Sequence, residues 1–173
     1  DGFISQQQGY IRTVTDNVST RLADGSELQE TLTASQVINR VALEYSVDPR
    51  VFLTLLEYRA GWLSKPNVSD ALKSHPLVSI ENSAGFDRAG LYKQLSWVAN
   101  ELNRGYYTWK YNDASIVEFI DGNRLLYSPT LNAGTVALQY VLSLYNTVDR
   151  WNIDVGQVGF YATYQTYFGD PFE

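Results

Sequence analysis

The chain has 173 residues, with 13 Lys and Arg against 19 Asp and Glu, a formal net charge of −6, and 45% apolar and 14% aromatic residues. This composition is typical of a globular protein and excludes a disordered chain. The few basic residues are scattered, which argues against a nucleic-acid partner.

The absence of Cys and the presence of only one His, His75, restrict the possible chemistry. They leave no thiolate or imidazole cluster for a metal and make a Ser-His-Asp triad a poor hypothesis, so we expect no metal and no cofactor. Any acid–base chemistry must come from carboxylates. No apolar run approaches the length of a membrane span, and the chain begins at Asp1 without any Met, which suggests a processed piece of a longer precursor.

The first third of the chain contains a polar segment followed by a helical pattern. Residues 1–32 are rich in Gln, Thr, Ser and Asp and predict an extended N-terminal arm with one short helix. Apolar residues then recur at three- and four-residue spacing after a capping residue, Thr33 or Ser35, which predicts a helix that ends near Tyr45.

A second helix is predicted to begin at Asp48 and Pro49, since the pair provides an N-cap followed by a proline that fits the first helical position. It ends near Gly61 and is apolar on nearly all sides, so we expect it to be central and buried. Residues 64–86 contain two prolines and predict a long loop, and residues 89–103 predict a further helix.

The last third of the chain predicts a hairpin and two more helices. Apolar residues at 116–120 and 125–127 flank an Asp-Gly turn signal, and helical patterns follow at 133–145 and 160–168. The whole pattern predicts a mainly α fold, with one helical domain over residues 33–173, one small β-hairpin and the extended arm of residues 1–32.

Glu57 is the one acidic side chain after Asp48 in the apolar second helix. Apolar surroundings disfavour a charged carboxylate and raise its pKa, as a general acid that protonates a glycosidic oxygen requires. The alternative is structural: Glu57 lies at the helix edge, hydrogen-bonded to loop backbone or paired with Arg59 or Arg40. Both interpretations remain open at this point.

The segment YSVDPRVFLTLLEYRAGW, residues 45–62, resembles the first motif of soluble lytic transglycosylases and goose-type lysozymes. In that family a helix begins with a hydrophobic residue, Asp and Pro, and ends with a catalytic Glu-Ser, a small residue and an aromatic. Later segments are similar to the family's in the same order, namely AGLYKQ at 89–94, PTLNAGTVAL at 129–138 and YATY at 161–164. The resemblance covers about residues 36–168 and implies a lysozyme-like domain that acts on or binds peptidoglycan or a related polysaccharide.

The chain is more similar still to the N-terminal lysozyme-like domain of secreted bacterial cell-wall proteins that carry a metallopeptidase domain further along. This resemblance is carried by the segments Leu-Leu-Glu-Tyr, Gly-Trp, Gly-Leu-Tyr, Gln-Leu-Ser-Trp, Asn-Arg-Gly-Tyr-Tyr, Leu-Asn-Ala-Gly-Thr-Val and Phe-Gly-Asp-Pro. It implies a secreted or cell-wall-associated protein and a C-terminal peptidase domain in the same precursor. The metal ligands of such a peptidase domain do not occur within these 173 residues.

One departure from the family motif concerns the catalytic position. When the aromatic end of the motif is aligned, the catalytic Glu falls on Arg59, whose guanidinium cannot act as a general acid, and the motif's Ser is Ala60. Glu57 lies about 200° away around the helix. This departure favours an impaired catalyst. A second carboxylate is not assigned, although three lie in loops that could border a cleft: Glu81, Asp87 and Asp113.

The resemblance also implies a glycan groove with aromatic walls, because flat amphipathic rings stack well on sugars. Helix packing is the alternative for each ring, and we favour it for Trp97. The run that contains Tyr106, Tyr107 and Trp109 is the better ligand candidate. The predicted substrate-binding residues are Arg59, Trp62, Tyr92, Gln94, Tyr106, Tyr107, Trp109, Tyr161 and Tyr164, and Tyr58 and Trp97 belong to the same aromatic set.

The sequence therefore leaves three hypotheses for the function. The first is a catalytically impaired glycan-binding domain, and the second is an active muramidase or lytic transglycosylase with Glu57 as its acid. The third is a structural subunit that self-assembles outside the cell through residues 1–32. Arg59 at the acid position favours the first over the second.

Overall fold

The computed structural model describes residues 2–112 and 115–171. The chain forms two compact units, residues 1–96 and 97–173, and the boundary falls inside one long helix. The mainly α fold is confirmed. Within the described residues there are two small antiparallel sheets of two strands each, one more than the sequence predicted. The candidate carboxylate Asp113 lies outside the described residues.

The N-terminal unit begins with a short helix and a hairpin. Helix α1 (Gly2–Ser5) and a 3-10 turn (Tyr10–Thr13) precede strands β1 (Thr15–Arg21) and β2 (Glu27–Thr33). The extended arm predicted for this segment is thus largely a hairpin. The structure supplies the reason: a turn with Gly25 at φ 85° joins two Thr-rich strands, of which only Val18 in β1 is buried. Such strands lack the apolar alternation on which the prediction relied.

The two helices that follow have the predicted bounds. Helix α2 (Ala34–Tyr45) begins with a capping box between Thr33 and Gln36. Helix α3 (Pro49–Ala60) begins at the predicted N-cap Asp48 and ends where Gly61 adopts φ 67°. Most of its apolar residues are fully buried, so α3 is the central helix that the sequence predicted.

The predicted long loop contains helix α4 (Asp70–Ser74) and a 3-10 turn (Glu81–Ser83). Helix α5 (Leu91–Asn112) follows and is longer than the predicted segment 89–103. Its first turn is capped from the hairpin, because the Asp16 carboxylate accepts a hydrogen bond from the Tyr92 backbone N–H at 2.7 Å.

The C-terminal unit contains the rest of α5, the predicted hairpin and three helices. The hairpin is confirmed, as are the helices predicted at 133–145 and 160–168, but a short helix before the last one was not predicted. The elements are β3 (Ile116–Glu118), β4 (Arg124–Leu126), α6 (Ala133–Ser143), α7 (Val148–Asp154) and α8 (Phe160–Phe168).

A glycine allows helices α5 and α6 to approach closely. A Cβ atom on Gly105 would lie 3.0 Å from the Ala137 Cα and 3.0 Å from the Tyr140 ring. Real Cβ atoms rarely make such short contacts, so a larger residue at position 105 would force its neighbours on α6 to shift by a few tenths of an ångström. Trp97, for which we favoured a packing role, stacks on Tyr145 with ring centroids 6.1 Å apart.

No helix among the described residues is both long and apolar enough to cross a membrane.

Candidate functional site

The Glu57 carboxylate is a cap for the chain that follows α3. Its Oε2 accepts hydrogen bonds from the backbone N–H groups of Leu63 at 2.8 Å and Ser64 at 3.1 Å, and its Oε1 accepts one from the Ser64 hydroxyl at 2.6 Å. The half-buried Glu57 is therefore engaged through both oxygens as an acceptor. This geometry matches the structural alternative, in which Glu57 is bonded to loop backbone.

The other carboxylates considered as catalytic partners have different surroundings. Glu81 is exposed in a 3-10 turn. The Asp87 carboxylate forms an ion pair with Lys93 and accepts a hydrogen bond from the Ala89 backbone N–H. The structure describes no contact that joins either residue to Glu57. Across residues 2–112 and 115–171, no three His, Cys, Asp or Glu side chains cluster as a metal site would require.

Two predicted sugar contacts in the N-terminal unit belong to the core. Trp62 is 0% exposed, packs edge-on against Tyr10 with centroids 5.2 Å apart, and donates its indole N–H to the Leu72 carbonyl at 3.1 Å. Gln94 is also fully buried. Neither side chain reaches solvent, so a direct glycan contact does not fit them.

Tyr92, in the first turn of α5, contacts α2 through its side chain. Its hydroxyl donates to the Glu44 carboxylate at 2.9 Å, and the Arg40 guanidinium lies 5.4 Å from its ring centre. Burial and the adjacent Glu44 carboxylate raise the pKa of Tyr92 above its ordinary value. Tyr92 is half-buried, and the Arg40 guanidinium lies over one face of its ring. Arg59 and Tyr58 are half-buried on α3.

Of the two predicted contacts on α8, one is buried and the other is half-buried. Tyr164 is buried and packs between Phe160 and Phe168. Tyr161 is half-buried, and its hydroxyl accepts a hydrogen bond from the Gln165 amide at 2.9 Å. The remaining candidates all lie on α5.

Three tyrosines and a lysine lie close together on α5. We call this group, Tyr106, Tyr107, Lys110 and Tyr111, the α5 platform. The Tyr107 and Tyr111 rings are nearly parallel, with an interplanar angle of 5° and centroids 5.9 Å apart, and are 51% and 66% exposed. The Lys110 ammonium lies 5.4 Å from the ring centres of both Tyr106 and Tyr111. Four-residue spacing on a helix places these rings on one face.

A pocket of about 240 Å³ lies in the same unit, on the adjacent side of α5. Its walls come from α5, the β3–β4 hairpin and α6, and Trp109 meets Tyr127 edge-on with centroids 5.8 Å apart. We call it the α5–α6 pocket. The residues that line it are Arg104, Gly105, Thr108, Trp109, Ile116, Tyr127, Val136 and Tyr140.

The two tyrosines of the α5–α6 pocket differ in their partners. The Tyr140 hydroxyl donates to the Glu101 carboxylate at 3.1 Å, and burial together with that carboxylate raises the pKa of Tyr140 to about 12. Tyr127 is 7% exposed, and its buried hydroxyl has no hydrogen-bond partner among the described residues. Burial raises the pKa of Tyr127 well above its ordinary value, so the phenol keeps its proton.

Of the predicted set, the structure places Tyr106 and Tyr107 in edge-on contact on α5 and Trp109 in the wall of the α5–α6 pocket. The others are buried (Trp62, Gln94 and Tyr164) or half-buried (Arg59, Tyr92 and Tyr161). Sequence reasoning missed Tyr111, Tyr127 and Tyr140. Tyr111 carried a usable signal, since it follows Tyr107 by one helical turn once α5 is extended. Tyr127 and Tyr140 lie on other elements and gave no such signal.

These features define a mainly α domain with an exposed aromatic face and a small pocket beside it. The family model described as LasA, N-terminal domain, matches residues 1–173, and the chain belongs to this family. No curated protein and no solved structure matches the chain. The lysozyme-like resemblance consequently stays a prediction.

Proposed function

We propose that this domain recognises a cell-wall glycan of the peptidoglycan type without cleaving it. The observation that carries the proposal is the α5 platform. Its two parallel tyrosine residues are 51% and 66% exposed, and amphipathic rings that are accessible in this way can bind the apolar faces of sugars while their hydroxyl groups remain hydrated. Large exposed aromatic rings on one helix face also indicate a binding surface more often than isolated ones do.

The chemistry of the platform favours a polysaccharide over an ionic ligand. Lys110 lies against two tyrosine rings, where the attraction between the ammonium and the rings orders all three side chains. Tyr rings lose little conformational entropy on binding because they have few rotatable bonds. A pre-ordered surface of this kind suits the repeated, uncharged ring faces of a glycan.

The non-catalytic part of the proposal rests on α3. A glycosidic general acid must present a proton to the leaving oxygen, whereas both Glu57 oxygens accept hydrogen bonds from the following loop. The residue that aligns with the family's catalytic Glu is Arg59, which stays charged. Both observations favour binding over cleavage.

The family supports one proposal for the cellular setting. Its description as an N-terminal domain supports a place within a larger precursor, and the resemblance to secreted cell-wall proteins adds a peptidase domain further along. In that arrangement the domain delivers an attached peptidase activity to the wall outside the cell.

The double substitution Tyr107→Ala and Tyr111→Ala is expected to weaken binding to purified, insoluble peptidoglycan by about tenfold or more, since each ring contributes on the order of 1 kcal/mol of stacking. Co-sedimentation over a range of peptidoglycan concentrations measures the apparent affinity. Both side chains are largely exposed, so the melting temperature should change little.

Phe86→Ala is the matched control, because Phe86 is a 68% exposed aromatic residue that belongs to the N-terminal unit and is not part of the α5 platform. It should bind peptidoglycan as the unaltered chain does. Equal binding by the platform variant and the unaltered chain, or no binding by the unaltered chain itself, would remove the proposal.

A second candidate function is self-assembly, and a specific surface supports it. The C-terminal hairpin exposes apolar side chains, with Ile120 65% and Leu126 75% exposed. This surface differs from residues 1–32, where the sequence placed the assembly contact. If it joins copies of the chain, Leu126→Lys should convert a concentrated sample from oligomer to monomer in light scattering, because an ammonium group is costly to bury at an interface. An unaltered chain that is monomeric at high concentration excludes this candidate.

A further inference from the structure

We propose that the α5–α6 pocket binds the terminal sugar ring of a glycan chain and that the Tyr127 hydroxyl forms a hydrogen bond to that ring. The inference rests on the proposed function, which it makes more specific: the platform contacts the chain along its length, and the pocket recognises its end.

The size of the pocket points to a single ring. Its volume of about 240 Å³ is below the roughly 300–1,000 Å³ of typical small-molecule sites. Trp109 supplies an aromatic wall, and Ile116 and Val136 supply apolar walls. One ring with both apolar and polar edges fits this mixture, whereas an oligosaccharide does not fit inside.

The closed side of the pocket argues for a chain end. Gly105 lines the pocket at the place where α5 and α6 are in contact, since a Cβ there would meet both Ala137 and Tyr140 at 3.0 Å. A polysaccharide therefore cannot pass between the two helices and leave on the other side. A ring that enters the pocket therefore has no exit past this helix contact, which favours the last ring of a chain.

The Tyr127 hydroxyl is the independent observation that points to a ligand. Buried polar groups are nearly always hydrogen-bonded, and an unpaired one lowers stability. Tyr127 is 93% buried, by difference from its 7% exposure, and its hydroxyl lacks a partner within the described part of the chain. The neighbouring Tyr140 hydroxyl, by contrast, is satisfied by Glu101. Tyr127 lines the pocket, so a sugar oxygen that reaches this hydroxyl from the pocket would provide the missing partner.

The test uses the full chain that carries Tyr107→Ala and Tyr111→Ala, so that the platform does not contribute, and titrates it calorimetrically with chitin-derived di-, tetra- and hexasaccharides. Binding at one site per saccharide chain, with an affinity that is independent of chain length, is expected. Adding Tyr127→Phe should weaken this binding about three- to tenfold, the value of one neutral hydrogen bond. The same substitution should leave the melting temperature unchanged or raise it by a few degrees, because it removes an unpaired buried group.

Tyr92→Phe is the matched control for loss of a hydroxyl. The Tyr92 hydroxyl has a partner, Glu44, so its removal should lower the melting temperature and leave saccharide binding unchanged. A fall in melting temperature for Tyr127→Phe, or unchanged affinity, would overturn the proposal by giving the hydroxyl a purely structural role.

The two proposals fail in different ways. If the unaltered chain binds insoluble peptidoglycan but the platform variant binds no oligosaccharide, the pocket proposal fails and glycan recognition by the platform stands. If affinity rises with chain length in the platform variant, the site binds internal sugars, and the chain-end inference is wrong. If the unaltered chain binds neither the polymer nor the oligosaccharides, both proposals fail.

Discussion

Replacing Gln94 with Leu is expected to lower the free energy of unfolding by about 3 kcal/mol or more. The Gln94 side chain is fully buried and makes four hydrogen bonds to backbone. Its oxygen accepts from the N–H groups of Leu77 at 2.9 Å and Val78 at 2.8 Å, and its amide nitrogen donates to the carbonyl groups of Val78 at 3.2 Å and Arg88 at 2.8 Å. Leu fills a similar space but cannot form hydrogen bonds, so these backbone N–H and carbonyl groups lose their partner. Those that water cannot reach stay unpaired, and a buried unpaired polar group lowers stability strongly.

Urea denaturation followed by tryptophan fluorescence measures this loss as a lower midpoint at an unchanged slope. Gln157→Leu is the control, since Gln157 is exposed and its replacement should shift the midpoint very little. A Gln94→Leu chain as stable as the unaltered one would show that the long loop does not depend on this amide. Glycan binding by the folded variant should persist, because Gln94 has no exposed atoms to offer a ligand.

The parts of the fold that could be predicted are those in which the signal is local. Helices α2 and α3 begin at the expected caps, Thr33 (one of two candidates) and Asp48, and α6 begins at the expected residue, Ala133. The side chain before each helix accepts a backbone hydrogen bond from its first turn. The C-terminal hairpin follows from an Asp-Gly turn between apolar residues. These signals are contained in a few consecutive residues and are independent of the rest of the chain.

The parts that were missed depend on contacts between distant residues. The N-terminal hairpin pairs Thr-rich strands with few buried residues, so neither strand has a pattern that stands out alone. Helix α7 is short and is held by its buried Asp154, which pairs with Arg150 at 2.8 Å and accepts a hydrogen bond from Asn146 at 3.0 Å. The burial of Asp154 cannot be inferred from residue type, because Asp is exposed in most proteins.

In the candidate site too, the features with a local signal could be predicted and those that depend on distant contacts could not. The sequence identified Tyr106, Tyr107 and Trp109 as ligand candidates because they are adjacent, but it placed them after the helix instead of within it. Trp62 and Gln94 had the right chemistry for sugar binding, and only the structure shows that both are buried. The α5–α6 pocket combines residues from three elements, so its assembly requires the tertiary fold.

Glu57→Ala is expected to lower the free energy of unfolding by about 2–3 kcal/mol. The substitution removes three hydrogen bonds to a carboxylate and leaves the Leu63 backbone N–H without an acceptor. Glu57→Gln retains one acceptor oxygen and should cost less. These losses would appear as lower urea midpoints. The control Glu81→Gln removes an exposed carboxylate and should leave the midpoint nearly unchanged.

The same variants separate a structural Glu57 from a catalytic one. In the structural case, the unaltered chain does not clear a suspension of purified cell walls, and the folded Glu57→Gln chain sediments with peptidoglycan as well as the unaltered chain does. Both results follow from a carboxylate that holds the loop after α3 and contacts no ligand. Clearing by the unaltered chain and its loss in a Glu57→Gln chain of equal stability would instead identify Glu57 as a general acid, since only a proton donor is removed without loss of the fold.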